Sequence, residues 1–232
     1  MAFTYERQVG TISALDSTSV QNVAVGAAGC PVGSLIVVVM TKSLAMVPTV
    51  TDSASNTYPV HEQRNEPLDS QEVAIVSSIL TTALVSGDNV SPTFGTGFSW
   101  KTAQVHEFRA GGTISFSEAK GASSLFPHSA QEAGVLTDST DDLVVAGFVQ
   151  NTASAVTWTP GTGFTALAAL DPGDSVGYAQ YDLNGLGLLH SVAADSNIDA
   201  ANAGVCAAFS EAGGGAPATP PRLVMAPMRQ GR

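Results

Sequence analysis

Charge is scarce in this sequence. Only 12% of its 232 residues are Asp, Glu, Lys or Arg, and nine Lys/Arg stand against twenty Asp/Glu, a net charge of −11. So few cations exclude the basic footprint that nucleic-acid binding requires, and they argue equally against docking on anionic lipid. Two cysteines, Cys30 and Cys206, make neither a disulfide framework nor a zinc-type cluster. Cys206 lies in an apolar run and reads as a buried thiol, whereas Cys30 precedes Pro31 in a turn; a bridge between them is left open. No run reaches the roughly 18 apolar residues of a membrane-spanning helix. The opening, MAFTYERQVG, lacks the apolar core of a cleaved signal, so a soluble protein made in a cytoplasm is expected. Nothing shows the Glu/Lys/Arg face of a long amphipathic helix.

What is abundant is Gly, Ala, Ser, Thr and Val, the composition of many short strands joined by small-residue turns. Strand-like runs recur every 8 to 15 residues with turn clusters between them, which is the spacing of a sandwich or barrel and not of βαβ units. The fold class is therefore all-β, an antiparallel β-sandwich of the jelly-roll kind over residues 1–212, with an extended tail over residues 213–232. The organising stretch is residues 33–58. GSLIVVVM is β-branched, apolar and too short for a helix, so it fits a strand buried on both faces. TVTDSASNTY follows as a strand–turn–strand corner, because Asp, Ser and Asn side chains bond their own backbone. The alternation of residues 98–108 slips after Trp100, which predicts a bulge or bend there. Residues 61–72 read as a loop or solvated edge, and residues 111–130 carry little strand signal.

The two halves echo each other. SLIVVVM matches DLVVAGF, and the closing AQVHEFRAGG matches GVCAAFSEAGG: each is an apolar strand ending in Phe, a polar pair and Gly. Either an internal duplication or a chance likeness among strands explains this.

Chemistry-bearing patterns are few. His61, His106, His128 and His190 share no metal-ligand spacing, and no cofactor is expected. Glu72, Glu107, Asp142 and Asp182 are strand-borne carboxylates without a glycosidase pattern. His106 and Glu107 are neighbours on a strand and point to opposite faces. No nucleophile elbow or phosphate loop occurs, so no enzyme activity is expected. Asp52 with Asn56, or Asp171 with Asp174, would suit calcium, but turn duty explains them more simply. Trp100, Trp158, Tyr178 and Tyr181 form a candidate glycan-stacking set, with Trp100 and Trp158 at its centre.

The tail departs from the body in charge. Residues up to Glu211 carry −14 and those beyond carry +3. Gly213, Gly214 and Gly215 make a hinge, and Pro217, Pro220, Pro221 and Pro227 favour extended backbone. Arg222, Arg229 and Arg232 alternate with Leu223, Met225 and Met228, a pattern suited to docking on a partner through arginines on carboxylates and apolar side chains in pockets.

The series "GSLIVVV…TVTDSASNTY…EVAIVSSIL…AQVHEFRAGG" followed by "DDLVVAGF…WTPGTGFTAL" resembles β-sandwich virion proteins of tailed bacteriophages, often called minor tail proteins, over residues 20–212. The resemblance implies a structural virion component, most simply at the tail or its tip, made in the host bacterial cytoplasm. It would form a homo-oligomer and contact other tail or capsid proteins. Capsid-decorating and head-fibre proteins share the pattern, and a host-surface glycan is the alternative partner. No catalytic residue comes with the resemblance.

Overall fold

The structure, a computed structural model, describes residues 3–66, 71–97, 99–136, 143–152, 156–173, 175–183 and 190–212. These form only strands and connections: β1 (Thr4–Asp16), β2 (Val23–Ala24), β3 (Leu35–Ser43), β4 (Thr49–Asp52), β5 (Val60–Asn65), β6 (Gln71–Ile79), β7 (Asn89–Thr93), β8 (Ser99–Arg109), β9 (Thr113–Leu136), β10 (Leu143–Asn151), β11 (Trp158–Pro160), β12 (Thr165–Leu170), β13 (Ser175–Asp182) and β14 (His190–Ala212). A first large sheet has the order β1-β8-β3-β6-β5. A second runs β11-β14-β10-β13-β12, with β9 also on β14, and a small third sheet is β2-β7-β4. All pairings are antiparallel.

The apolar runs explain the stacking. Because successive side chains point to opposite faces, β3 offers one row of Ile36, Val38 and Met40 and another of Leu35, Val37 and Val39. The first row packs with Val23, Val50, Val90 and Phe94 of the small sheet and its connections. The second packs with Leu143, Val145, Val205 and Phe209 of the second large sheet. β10 repeats the arrangement one level on: its Val144, Ala146 and Phe148 face a third cluster with Ala133, Val192 and Trp158. The sheets thus lie in tiers, and β3 is buried on both faces as its sequence predicts. The small sheet is an addition to the two-sheet sandwich expected from the sequence.

The echo between the halves appears in the register. Leu35 pairs with Phe108 and Leu143 with Phe209, so each half sets its opening strand against its closing one in the same alignment. The strand orders also correspond when β9 is followed onto β14: β1-β8-β3-β6-β5 matches β9-β14-β10-β13-β12, and β11 has no counterpart in the first sheet.

Three expectations need correcting. β8 pairs with β3 without a register shift, and the irregularities lie on β1, between Tyr5 and Arg7 and between Gln8 and Gly10. The alternation slips after Trp100 because residues 101–108 are buried on both faces of a central strand, where no polar face is needed. Second, the weak stretch at 111–130 lies within a 24-residue strand, β9, which pairs along almost the whole of β14. Third, the 8-to-15-residue spacing of strand-like runs would divide residues 190–212, yet they form one 23-residue strand, β14. Its register slips between Asp195 and Asn202, where the ribbon bends so that Ala133 and Val192 cover the outer face of the second large sheet. The charged stretch at 61–72 is an edge strand for residues 60–65.

At the interface between the large sheets, β10 carries Gly147 against β3, and a Cβ there would overlap Cγ1 of the fully buried Val39. Gly147→Ala is therefore expected to destabilise the protein by about 1–3 kcal/mol through overpacking. A urea titration measures it, with Gly33→Ala, at an open turn position of positive φ, as the comparison for backbone strain alone.

Candidate functional site

The DSASNTY corner is a closed hydrogen-bond knot. Asp52 Oδ1 accepts from the backbone N–H groups of Ala54 (2.9 Å) and Asn56 (3.0 Å), and its Oδ2 accepts from Asn56 Nδ2 (2.8 Å) and the Tyr58 hydroxyl (2.9 Å). Asn56 reaches across to the 80–84 connection, donating to Thr82 O (3.0 Å) while its Oδ1 accepts from the backbone of Thr81 and Thr82 (both 2.9 Å). Burial and the neighbouring Asp52 carboxylate push the Tyr58 hydroxyl pKa up, which keeps it a donor. The side-chain polar atoms of Asp52, Asn56 and Tyr58 all have structural partners, so Asp52 and Asn56 act as turn residues.

At one end of the first large sheet a carboxylate is fully buried. Glu107 accepts from Arg7 Nε (2.9 Å), from Arg109 Nε and NH2 (3.0 and 2.8 Å) and from Ser34 Oγ (2.8 Å). Burial alone would raise its pKa, but the Arg109 and Ser34 hydrogen bonds, with the charge of Arg7, outweigh it and hold the carboxyl below its ordinary value. Arg7 NH2 also donates to the Gly29 carbonyl and lies 3.3 Å from Cys30 Sγ. Burial pushes the Cys30 thiol up despite that arginine. This cluster underlies a shallow cleft of about 410 Å³ formed by residues 27–31, residues 83–86 and Arg109. Its two walls are tied by reciprocal backbone bonds between Cys30 and Leu84 (2.7 and 2.9 Å). Val32 and Val85, beside and in those walls, are 62% and 61% exposed.

The opposite end of the same sheet holds two buried lysines side by side, Lys42 and Lys101. Lys101 Nζ donates to Asp16 Oδ1 (2.6 Å) and to the Thr18 carbonyl. Lys42 Nζ donates to the carbonyls of Ala45 (3.0 Å) and Thr96 (3.1 Å). Burial, together with the Lys101 charge, lowers the Lys42 pKa. Arg7, Ser34, Lys42, Lys101 and Arg109 did not stand out in the sequence; the available signal was a charge inside an otherwise apolar strand, as in SWKTAQVHEF.

The sequence-derived site residues are scattered. Trp158 stacks on Tyr178 (4.9 Å, 7°) on the outer side of the second large sheet, beside Phe148. Tyr181 instead stacks on Tyr5 (4.9 Å) between the two large sheets. Trp100 on β8 covers Gly173 of the β12–β13 turn. The four aromatics therefore make no single platform. Next to β11, a cleft of about 330 Å³ is lined by Gly161, Thr162, Phe164, Ser191 and Asp195, among others. Glu72 and Glu107 sit opposite Lys42 and Ile36 of β3, six residues apart, or about 20 Å along a strand, too far for a catalytic pair. Cys30 and Cys206 are both free and lie in different clusters. Arg222, Leu223, Met225, Met228, Arg229 and Arg232 lie outside the described residues, as do Asp142 and Asp174. Comparisons with protein-family models, curated proteins and solved structures find no match to this chain.

Two predictions follow from these contacts. Removing the Asn56 amide strands the 81–82 N–H groups and Asp52, so Asn56→Ala should cost about 2–3 kcal/mol in a chemical denaturation series. The second concerns pH. Burial lowers His61 to about 4 and His106 to about 3; His61 stacks on Phe116 and meets Phe209 edge-on, and His106 lies between Tyr5 and Gln104. The unfolded chain takes up protons on these groups below about pH 6.5 while the fold does not. Their contribution is complete above that pH and is lost as pH falls toward 4 and then 3. Glu107, with its depressed pKa, adds a loss only at lower pH, below the ordinary carboxylate range. Stability measured by urea unfolding should thus decline between pH 6.5 and 4.5, and the decline should be shallower in His106→Gln.

Proposed function

We propose that this protein is a structural component of a tailed-phage virion, most simply a minor tail or tail-tip protein, which works through assembly contacts and catalyses no reaction. The observation that carries the reading is the segregation of charge and structure: a tiered all-β body of charge −14, followed by a segment of charge +3 rich in Gly and Pro. The body spends its conspicuous polar groups on itself, Glu107 on two arginines and Asp52 on its own corner. The residues that carry the resemblance to phage virion proteins are core and turn residues, which is what a scaffold needs. The matched orders of the two large sheets support an internal duplication. In this reading the chain forms homo-oligomers in the particle, and Arg222, Leu223, Met225, Met228, Arg229 and Arg232 engage a neighbouring subunit.

A chain truncated after Ala212 keeps all three apolar clusters and should fold with unchanged thermal unfolding, yet fail to enter particles in a complementation assay. Normal incorporation of the truncated chain would overturn the reading.

A host-surface glycan is the second reading, as for a decoration or attachment module. It is favoured by the cleft of residues 161–164 and 191–195, which lies beside the partly buried Trp158. Binding to host cell-wall glycan that is lost in Trp158→Ala and kept in Trp100→Ala would establish it.

A further inference from the structure

We infer that the layer between the outer face of the second large sheet and the bent β9–β14 ribbon is a binding site for small neutral O–H ligands. In solution it holds ordered internal water on Gln131, Gln150, Trp158 and Tyr178.

Register places these four side chains in one layer. On the sheet, Phe148 of β10 lies opposite Tyr178 and Gly204, and Gln150 lies opposite Val176 and Asn202. Residues two apart on a strand share a face, so Phe148, Gln150 and Tyr178 point the same way. On the ribbon, β14 runs between β9 and β11, with Ala194 opposite both Gln131 and Pro160, and Ser196 opposite Trp158. Three contacts bring the two walls face to face. Trp158 stacks on Tyr178. Gln150 Nε2 donates to the Ile198 carbonyl (2.6 Å), which also accepts from Ser196 Oγ (2.7 Å). A Cβ on Gly204 would overlap the Glu132 carbonyl above it and the Phe148 ring beside it.

Five polar atoms in this layer have no hydrogen-bond partner among the described residues: Gln131 Nε2 and Oε1, Gln150 Oε1, Trp158 Nε1 and the Tyr178 hydroxyl. Gln180, on the same face of β13, shows what a satisfied amide looks like. Its Oε1 accepts from the Gly161 N–H (3.0 Å) and its Nε2 donates to the Ala193 carbonyl (2.8 Å). Gln131 has the same chemistry and neither partner. A buried polar atom left unmet costs at least as much as a hydrogen bond contributes, so five dry ones would offset much of a domain's net stability.

The chemistry of the five atoms selects the ligand. Trp158 Nε1 and Gln131 Nε2 only donate, and the two amide oxygens only accept. Burial pushes the Tyr178 hydroxyl up to about 12, so it keeps its proton. A metal cation would serve the acceptors alone and an anion the donors alone, whereas an O–H group serves both. Water and a sugar hydroxyl share that chemistry, and enclosure separates them: Gln131 and Gln150 are fully buried and Tyr178 is 2% exposed. Water enters such a layer, and each buried water typically bonds about three polar groups.

The test reads the Trp158 indole in the full chain. With Trp100→Phe, Trp158 is the one remaining tryptophan, and its N–H should show a nuclear Overhauser contact to long-lived water. Excess glucose should leave that contact unchanged; its replacement by a contact to the sugar would overturn the assignment to water. Two further variants give a sign. In a hydrated layer Gln131→Leu and Tyr178→Phe each remove an anchor and strand the other partners of the water, so both should lower the urea midpoint. In a dry layer each removes an unmet group, and both midpoints should rise. Either that rise or the lack of a water contact at the indole would overturn the inference, and the indole measurement decides even where a layer variant does not fold.

Discussion

The constraint on which the rest depends is that β3 has no polar face. Six apolar residues in succession, Leu35 to Met40, are each at most 1% exposed, so both sides of the first large sheet must be covered. One side needs the small sheet and the other the second large sheet. β10 meets the same condition, since Leu143, Val144, Val145, Ala146 and Phe148 are all buried, and its outer side is covered by the folded-over β9–β14 ribbon. Two central strands, each needing two covers, produce the tiers. A parallel sheet solves the same problem with helices; here short strands and a bent ribbon do it.

Charged groups within this apolar body sit where the strands meet their connections. Glu107 ties β1, the 29–34 turn and the end of β8 together. Lys101 and Lys42 tie the 16–18, 45 and 96 connections to the far ends of β8 and β3. Burying such groups costs free energy that their partners largely offset, while removing one partner leaves an unpaired charge at a cost of several kcal/mol. Their net contribution to stability is small, and they tether the loops at both ends to the strands.

Much of this was legible in the sequence where one local cause decides the structure. The GSLIVVVM and DLVVAGF runs announce doubly buried strands, and Asp52, Asn56 and Tyr58 announce a self-bonded corner. The closing Phe108 and Phe209 announce the shared register. What was not legible depends on partners remote in sequence. β9 reads weakly because Ser, Ala, Gly and Lys have little strand preference, and its existence rests on pairing with β14. The small sheet is built from β2, β4 and β7 of two to five residues, too short for a periodic signal. The role of Arg7 depends on Glu107, a hundred positions away. The cleft arises from two turns that meet only in the fold.

How such a body would contact its neighbours follows from how its sheet edges are closed. An exposed edge is an invitation to strand pairing. β12 is met from the other sheet by Gln104, which donates to the Ala168 carbonyl (2.8 Å) and accepts from the Ala168 N–H (3.2 Å). β5 lies against β9, where Arg64 covers Gly121. β1 carries two register shifts, which bend an edge away from regular pairing. These three edges are thereby obstructed to regular strand addition. The loop ends remain, and of these the 27–31 and 83–86 pair is concave, apolar and rigid.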